Sequence, residues 1–269
     1  MGASEIWLVR HGESEANVVA TEAQRAGEER IVVEWRDADV PLSPTGREQA
    51  GALGAWLGEN APGRAPVVWS SPYRRARETT SIALASASAG AELPVRVDER
   101  LRDRELGILD LLTAAGVEAL HPEEAERRRW LGKFYYRPPG GESWADVALR
   151  IRSFLRDAEA PSSPEGGPLL VVAHDAVVML FLYVCLGWSE EELLGFAREN
   201  VVVNASVTRL VRAEVADEAG PASREDPAMP SPAAQWQLAE FAHHGHLDRL
   251  DVEATRHGGD TDESAEPAR

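Results

Sequence analysis

Four short apolar runs punctuate the chain: Glu5 to Val9, Pro66 to Ser70, Leu169 to Ala173 and Ser206 to Val211. Each has the length of a strand, and segments long enough for helices lie between the first three. Strands alternating with helices predict an α/β fold, a three-layer sandwich whose largely parallel central sheet is flanked by helices on both faces.

The helical segments carry their own start signals. Ser43 followed by Pro44 reads as an N-cap and first residue, and Ala50, Leu53, Trp56 and Leu57 follow at helical spacing. Ser71 and Pro72 open another helix, through Arg75, Thr79 and Leu84, with Ser71 as its expected N-cap. Thr113 to Trp130 is helical in composition with an interruption at Pro122, and Trp144 to Ala158 is amphipathic on Val147, Ile151, Phe154 and Leu155. The stretch between them, Tyr135 to Ser143, reads as loop. The most apolar stretch, Leu169 to Trp188, approaches membrane-spanning length, but His174 and Asp175 interrupt it. It therefore divides into a buried strand and a helix from about Val177 to Leu186. Residues 213–234, rich in Ala, Glu, Asp and Pro, read as a flexible excursion, after which Trp236 to Phe241 returns as an edge strand. One domain is expected over residues 1–252, with 253–269 a disordered acidic tail. No repeat of solenoid period is visible.

Composition narrows the partners. A formal net charge of -17 on 269 residues opposes binding to a nucleic acid or to an anionic membrane surface. An anionic substrate must be caught by a local arginine cluster. The single cysteine, Cys185, has no partner for an intramolecular disulfide or a cysteine-based zinc site, and reads as a small buried hydrophobe. The N-terminal stretch lacks a basic start and a long apolar run, so a cytoplasmic address is expected. Met1-Gly2 is a poor acylation signal because Ile6 stands where Ser or Thr is needed. His243, His244 and His246 could suggest a metal site, but no further Cys or His lies close in sequence and the neighbouring Asp248 and Asp251 read equally as solvated charges, so no metal site is expected.

The chemistry concentrates at the strand ends, where open α/β sheets place their ligands. Arg10-His11-Gly12 follows the first strand, with Ser14 and Asn17 beyond it. Ser70-Ser71-Pro72-Tyr73-Arg74-Arg75-Ala76 and Thr79 follow the second. Leu101-Arg102-Asp103, then Val171-Val172-Ala173-His174, then Asn204 before the last core strand complete the set. Taken singly, each has a plain alternative: a solvated loop, a core histidine, or a charged helix face on which Arg74 and Glu78 pair at i,i+4. In this order they resemble the histidine phosphatase superfamily, the phosphoglycerate mutase-like branch 1, from Ile6 to about Val211.

The resemblance implies a phosphohistidine mechanism without metal or nucleotide cofactor. His11 would be the nucleophile, requiring a neutral ring whose other N–H is held by a backbone carbonyl. Arg10 and Arg75 would clamp the phosphoryl oxygens, a task suited to a planar, permanently charged fork. His174 would donate to the same oxygens, Asn17 would add a neutral donor, Gly12 would allow close backbone approach, and Asn204 would orient the strand end near His174. A carboxyl group must protonate the leaving alkoxide and later activate water. The family places a glutamate where this chain has Asp103, one methylene shorter, so Asp103 is the expected proton donor and Glu105 the alternative. Gly132 to Ser143 resembles a substrate-capping insert, in which Lys133, Tyr136 and Arg137 would recognise a second anionic group. The competing reading has the tyrosines anchoring the loop on the core and Ser143 capping the next helix. Arg102 and Arg104 are read as surface residues.

The activity so implied is that of a histidine acid phosphatase-like phosphomonoesterase acting on a small phosphorylated metabolite or a phosphoprotein. Two rivals stand beside it: a phosphoglycerate mutase-type phosphotransferase, and a catalytically impaired phosphoryl-binding module marked by the loss of the usual glutamate.

Overall fold

The computed structural model describes residues 3–61, 65–87, 93–158, 167–213 and 236–257. Six strands form one sheet in the order β3-β2-β4-β1-β5-β6: β1 (Glu5–Arg10), β2 (Val67–Ser70), β3 (Val95–Val97), β4 (Leu169–Ala173), β5 (Val207–Arg212) and β6 (Trp236–His243). The four strands β1 to β4 run parallel, and β5 and β6 add an antiparallel edge.

Alternation along the central strands explains the two helical layers. Ile6 and Leu8 of β1, with Leu169 and Val171 of β4, face α6 (Trp144–Ala158) and α7 (Asp175–Leu186). Trp7 and Val9, with Leu170 and Val172, face α2 (Pro44–Asn60) and α3 (Arg74–Ala87). Trp7 meets Trp56 edge-on, their ring centroids 5.0 Å apart. A buried aromatic of this size removes roughly 150–250 Å² from water, about 4–6 kcal/mol before entropic costs. Strands buried on both faces carry near-continuous apolar runs, which is why β1 and β4 were readable.

Several elements differ from the sequence reading. α1 (Glu15–Ala26) carries almost no buried apolar stripe, only Ala23, and is specified instead by the reciprocal cap of Ser14 and Asn17. The three residues of β3 are all exposed, leaving no hydrophobic signal. The helical stretch broken at Pro122 is two helices, α4 (Ala114–Leu120) and α5 (Pro122–Tyr135), so Tyr135 belongs to a helix rather than the loop. α8 (Glu190–Glu199) is opened by Ser189 paired with Glu192, and α9 (Gly245–Arg249) is a single short turn of helix. Except for Ala213, the excursion at 213–234 lies outside the described residues. So do residues 258–269 of the expected tail. Residues 253–257 are packed against the domain: Thr255 is buried and bonds Gln49 and Asn204, so these five residues belong to the domain rather than to the expected tail. Among the described residues no helix is long and apolar enough to cross a membrane.

Candidate active site

Register brings the distant motifs together. Arg10 is aligned with Ala173, and the His11 amide donates to the Ala173 carbonyl at 3.0 Å. The Ser71 amide donates to the Val172 carbonyl at 2.9 Å. The ends of β1, β2 and β4 thus deliver His11, Ser71 and His174 to one point at the carboxyl edge of the parallel sheet. The imidazoles of His11 and His174 lie with centroids 5.1 Å apart.

His11 is set up by its backbone. Its Nδ1 donates to the Gly12 carbonyl at 2.7 Å, since a carbonyl only accepts, and this leaves the lone pair on Nε2. The Nε–H of Arg75 donates toward that nitrogen at 3.3 Å. Burial, followed by the charge of Arg75, holds the His11 pKa well below its ordinary value, so the ring is neutral near pH 7. The His11 carbonyl accepts from the Asn204 side chain at 3.0 Å, so Asn204 fixes the backbone of His11 itself. Gly12 permits a close approach, to protein rather than ligand: a Cβ there would sit 2.5 Å from the Gly46 carbonyl oxygen.

Arg75 is the hub. Its Nη1 donates to the backbone carbonyl and to Oδ1 of Asp37 at 2.6 and 2.8 Å, and its Nη2 to Oδ2 of Asp103 at 2.9 Å. Tyr73 lies under the guanidinium, 4.8 Å from Cζ to ring centroid. Arg10 donates from Nη1 to the Val202 carbonyl at 2.6 Å and reaches the His257 carbonyl at 3.5 Å. Its Nε–H is buried without a hydrogen-bond partner among the described residues. His174 is fully buried, with Nε2 2.8 Å from the Ser71 hydroxyl. Its Nδ1 lies 3.2 Å from Asp103 Oδ2 but too far off axis for a well-formed hydrogen bond. Burial pushes the His174 pKa down to about 4 against the pull of Asp103. For Asp103, burial alone would raise the pKa, but His174 and Arg75 outweigh it and hold the carboxyl well below the usual range. Its Oδ1 accepts from the Arg104 amide at 2.9 Å, so both oxygens of Asp103 face donors.

Of the expected site residues, His11, Arg10, Arg75, Asp103, His174 and Gly12 are gathered here. Asn17 stands at the margin, its Oδ1 accepting from the Ser14 amide at 3.1 Å as a helix cap. Glu105 is one residue removed, half-exposed, accepting from the Tyr73 hydroxyl at 3.0 Å. Tyr136 is corrected: it is 1% exposed, and its hydroxyl donates to the buried Glu124 at 2.8 Å, which makes it a core anchor. Arg137 is exposed and paired with Asp146 at 2.6 Å, and Lys133 is buried with its ammonium 4.8 Å from the centroid of the Trp144 ring. None of the three is hydrogen-bonded to the His11 cluster. Ser143 caps α6 as read, donating to and accepting from the Asp146 side chain and amide. Ser71 is corrected from helix cap to partner of His174, since α3 begins at Arg74. Arg104 is buried rather than on the surface, donating to the Glu142 carbonyl at 2.7 Å.

The histidine-rich patch lies elsewhere: His243 pairs with Glu240 at 2.7 Å, and His246 is buried against the Ala205 carbonyl. Sequence reasoning missed Asp37, whose segment has no periodic pattern, and His257, which bonds Glu13 and Thr21 at 2.6 and 2.7 Å.

Two buried histidines, two arginines and two carboxylates thus lie around a common point, and the chain that carries them has relatives among known proteins. Residues 6–216 match the model of the Histidine phosphatase superfamily (branch 1). A glucosyl-3-phosphoglycerate phosphatase of Mycobacterium tuberculosis is 34% identical over 185 residues, 66% of this chain and 73% of that protein. A 2,3-bisphosphoglycerate-dependent phosphoglycerate mutase 2 of Gloeobacter violaceus is 33% identical over 175 residues, 65% of this chain and 72% of that protein. Among solved structures, the mycobacterial glucosyl-3-phosphoglycerate phosphatase in complex with VO3 superposes with a TM-score of 0.64 at 26% identity, covering 89% of this chain and 99% of that one.

Proposed function

Because the chain belongs to the histidine phosphatase superfamily, branch 1, we propose that it is a phosphomonoester hydrolase working through a phosphohistidine on His11. The observation that carries this reading is the neutral His11 ring, its Nε2 lone pair facing the Arg75 Nε–H at 3.3 Å while Nδ1 is tied to the Gly12 carbonyl. A nucleophile needs that lone pair, and a dianionic phosphoryl group needs the guanidinium beside it.

The buried Arg10 Nε–H and the poorly partnered His174 Nδ1 supply further donors for phosphoryl oxygens. His11 Nε2 attacks phosphorus of the monoanionic ester, the P–O bond to the alcohol breaks, and the proton that the ester carries in passes by way of the Asp103 carboxylate to the departing oxygen. Water then attacks the phosphohistidine, giving one proton to the Asp103 carboxylate, and inorganic phosphate leaves as the neutral ring is regenerated. Asp103 orients Arg75 and His174 and stays within reach of the proton transfers. The substrate is a small phosphorylated metabolite or a phosphoprotein, with no nucleic-acid or membrane partner and a cytoplasmic setting. Phosphate release from p-nitrophenyl phosphate with chelator present is the test. We expect loss of at least about a thousandfold in His11→Ala, and an acid-labile phosphoryl label on wild type that the variant lacks. Full activity of His11→Ala would overturn the mechanism.

A further inference from the structure

The groups that would hold the phosphoryl are nearly inaccessible: His11, His174, Arg10 and Arg75 are all buried. Of the side chains bonded to Arg75, the most solvent-facing is Asp37, at 38% exposed against 24% for Asp103. A phosphate monoester must enter with its alcohol pointing outward, so the alcohol passes the side on which Asp37 lies. That side is acidic. The carboxylates of Asp103 and Asp110 are close enough to Asp37 to be felt electrostatically, and Glu105 stands behind Tyr73.

A second anion on the substrate would need a cation; Lys133 and Arg137, the two that the sequence offers for it, and three further arginines of the described residues have partners of their own. Lys133 is buried against Trp144, Arg137 is paired with Asp146, and Arg102 is held by Glu142 at 2.6 Å. Arg150 is spent on Glu142 and the Asp103 carbonyl, and Arg36, beside Asp37 in the chain, is paired with Asp39 at 2.6 Å.

We propose that Asp37 is a specificity-determining residue of this pocket, selecting phosphomonoesters whose alcohol carries no second anionic group. The inference rests on the hydrolase reading above and narrows its substrate class. It sets the chain apart from enzymes that must hold a bisphosphate or a phosphorylated carboxylic acid. Asp37→Asn is the probe, because the main-chain carbonyl and the amide oxygen can still accept from Arg75 Nη1 while the charge is removed.

The experiment compares kcat/KM for phosphate release from ethanolamine phosphate, glycerol 3-phosphate and 3-phosphoglycerate, with p-nitrophenyl phosphate as reference. The same esters are titrated calorimetrically into His11→Ala, which reads binding without turnover. In wild type, 3-phosphoglycerate should fall at least about tenfold below glycerol 3-phosphate, the scale of one like-charge contact at intermediate dielectric. Asp37→Asn should narrow that gap to about threefold by raising 3-phosphoglycerate selectively. If wild type uses or binds 3-phosphoglycerate as well as glycerol 3-phosphate, or if Asp37→Asn shifts all esters in equal proportion, the selectivity proposal falls and the hydrolase stands. If no ester is hydrolysed but the order of binding to His11→Ala holds, the hydrolase reading falls and the selectivity stands.

Discussion

His174 ties the site to the stability of the fold, and the size of the link follows from its burial. An unfolded histidine takes its proton near pH 6.5, whereas His174 in the native site resists protonation until about pH 4. Between those values the unfolded chain binds more protons, so native stability is complete above pH 6.5 and is lost as pH falls toward 4. Applied to this one ring, the linkage relation gives a loss of about 2 kcal/mol between pH 7 and pH 5. Carboxylates with depressed pKa values act in the same direction but mostly below pH 4.5, which leaves a window for the histidines. His246, buried and also pushed down to about 4, contributes a parallel loss, and His11 adds to it with the same sign. His174→Gln keeps an amide near Ser71 and removes the titration. Urea unfolding at half-unit steps from pH 7 to 5 should show a wild-type decline that is shallower by about 2 kcal/mol in His174→Gln. Parallel declines in the two proteins would mean that His174 titrates as if solvated, and the account of its burial would fail.

Three further outcomes follow from packing and pairing. Gly46→Ala places a Cβ 1.9 Å from the Glu13 carbonyl oxygen and should cost about 3 kcal/mol or more, while Gly51→Ala in the same helix meets nothing within 4 Å and should stabilise by about 0.5–1 kcal/mol; thermal denaturation of both reads the contrast. Tyr136→Phe, which strips the partner from buried Glu124, should lower stability by about 1–3 kcal/mol and leave kcat/KM for p-nitrophenyl phosphate within about threefold; a large kinetic loss at unchanged stability would restore the substrate-binding role. Asp103→Asn should reduce kcat/KM by about a hundredfold or more and Glu105→Gln by less than about threefold, since only Asp103 contacts Arg75 and His174; the reverse ranking in steady-state assays would shift the proton transfers to Glu105.

The central sheet and the gathering of His11 and His174 at its carboxyl edge were legible because both depend on strands buried on two faces. A run such as Leu169 to Ala173 can be little else, and a strand's carboxyl end then fixes where His174 emerges. Asp37 was not legible. It sits in a short polar turn whose contact with Arg75 exists only once α3 and that turn are brought together. The surroundings of Tyr136 and Arg137 were hidden for a similar reason: aromatic and cationic composition does not reveal that Tyr136 is buried on Glu124 or that Arg137 pairs with Asp146. At residues 253–257 the polar composition suggested disorder, yet polar groups were needed there to satisfy Gln49, Asn204 and Glu13.

The reach of Arg10 to the His257 carbonyl closes a ring across 247 positions of sequence. Contacts of such span carry a high loop-closure cost and form late in folding. His11 stands at the end of β1, yet its neighbour Arg10 acquires one of its backbone moorings only when a stretch distant in sequence has docked. The Arg10 side chain, and with it the surroundings of His11, is therefore complete only once the segment around residue 257 has docked, so loosening that segment should be felt at the strand end as well.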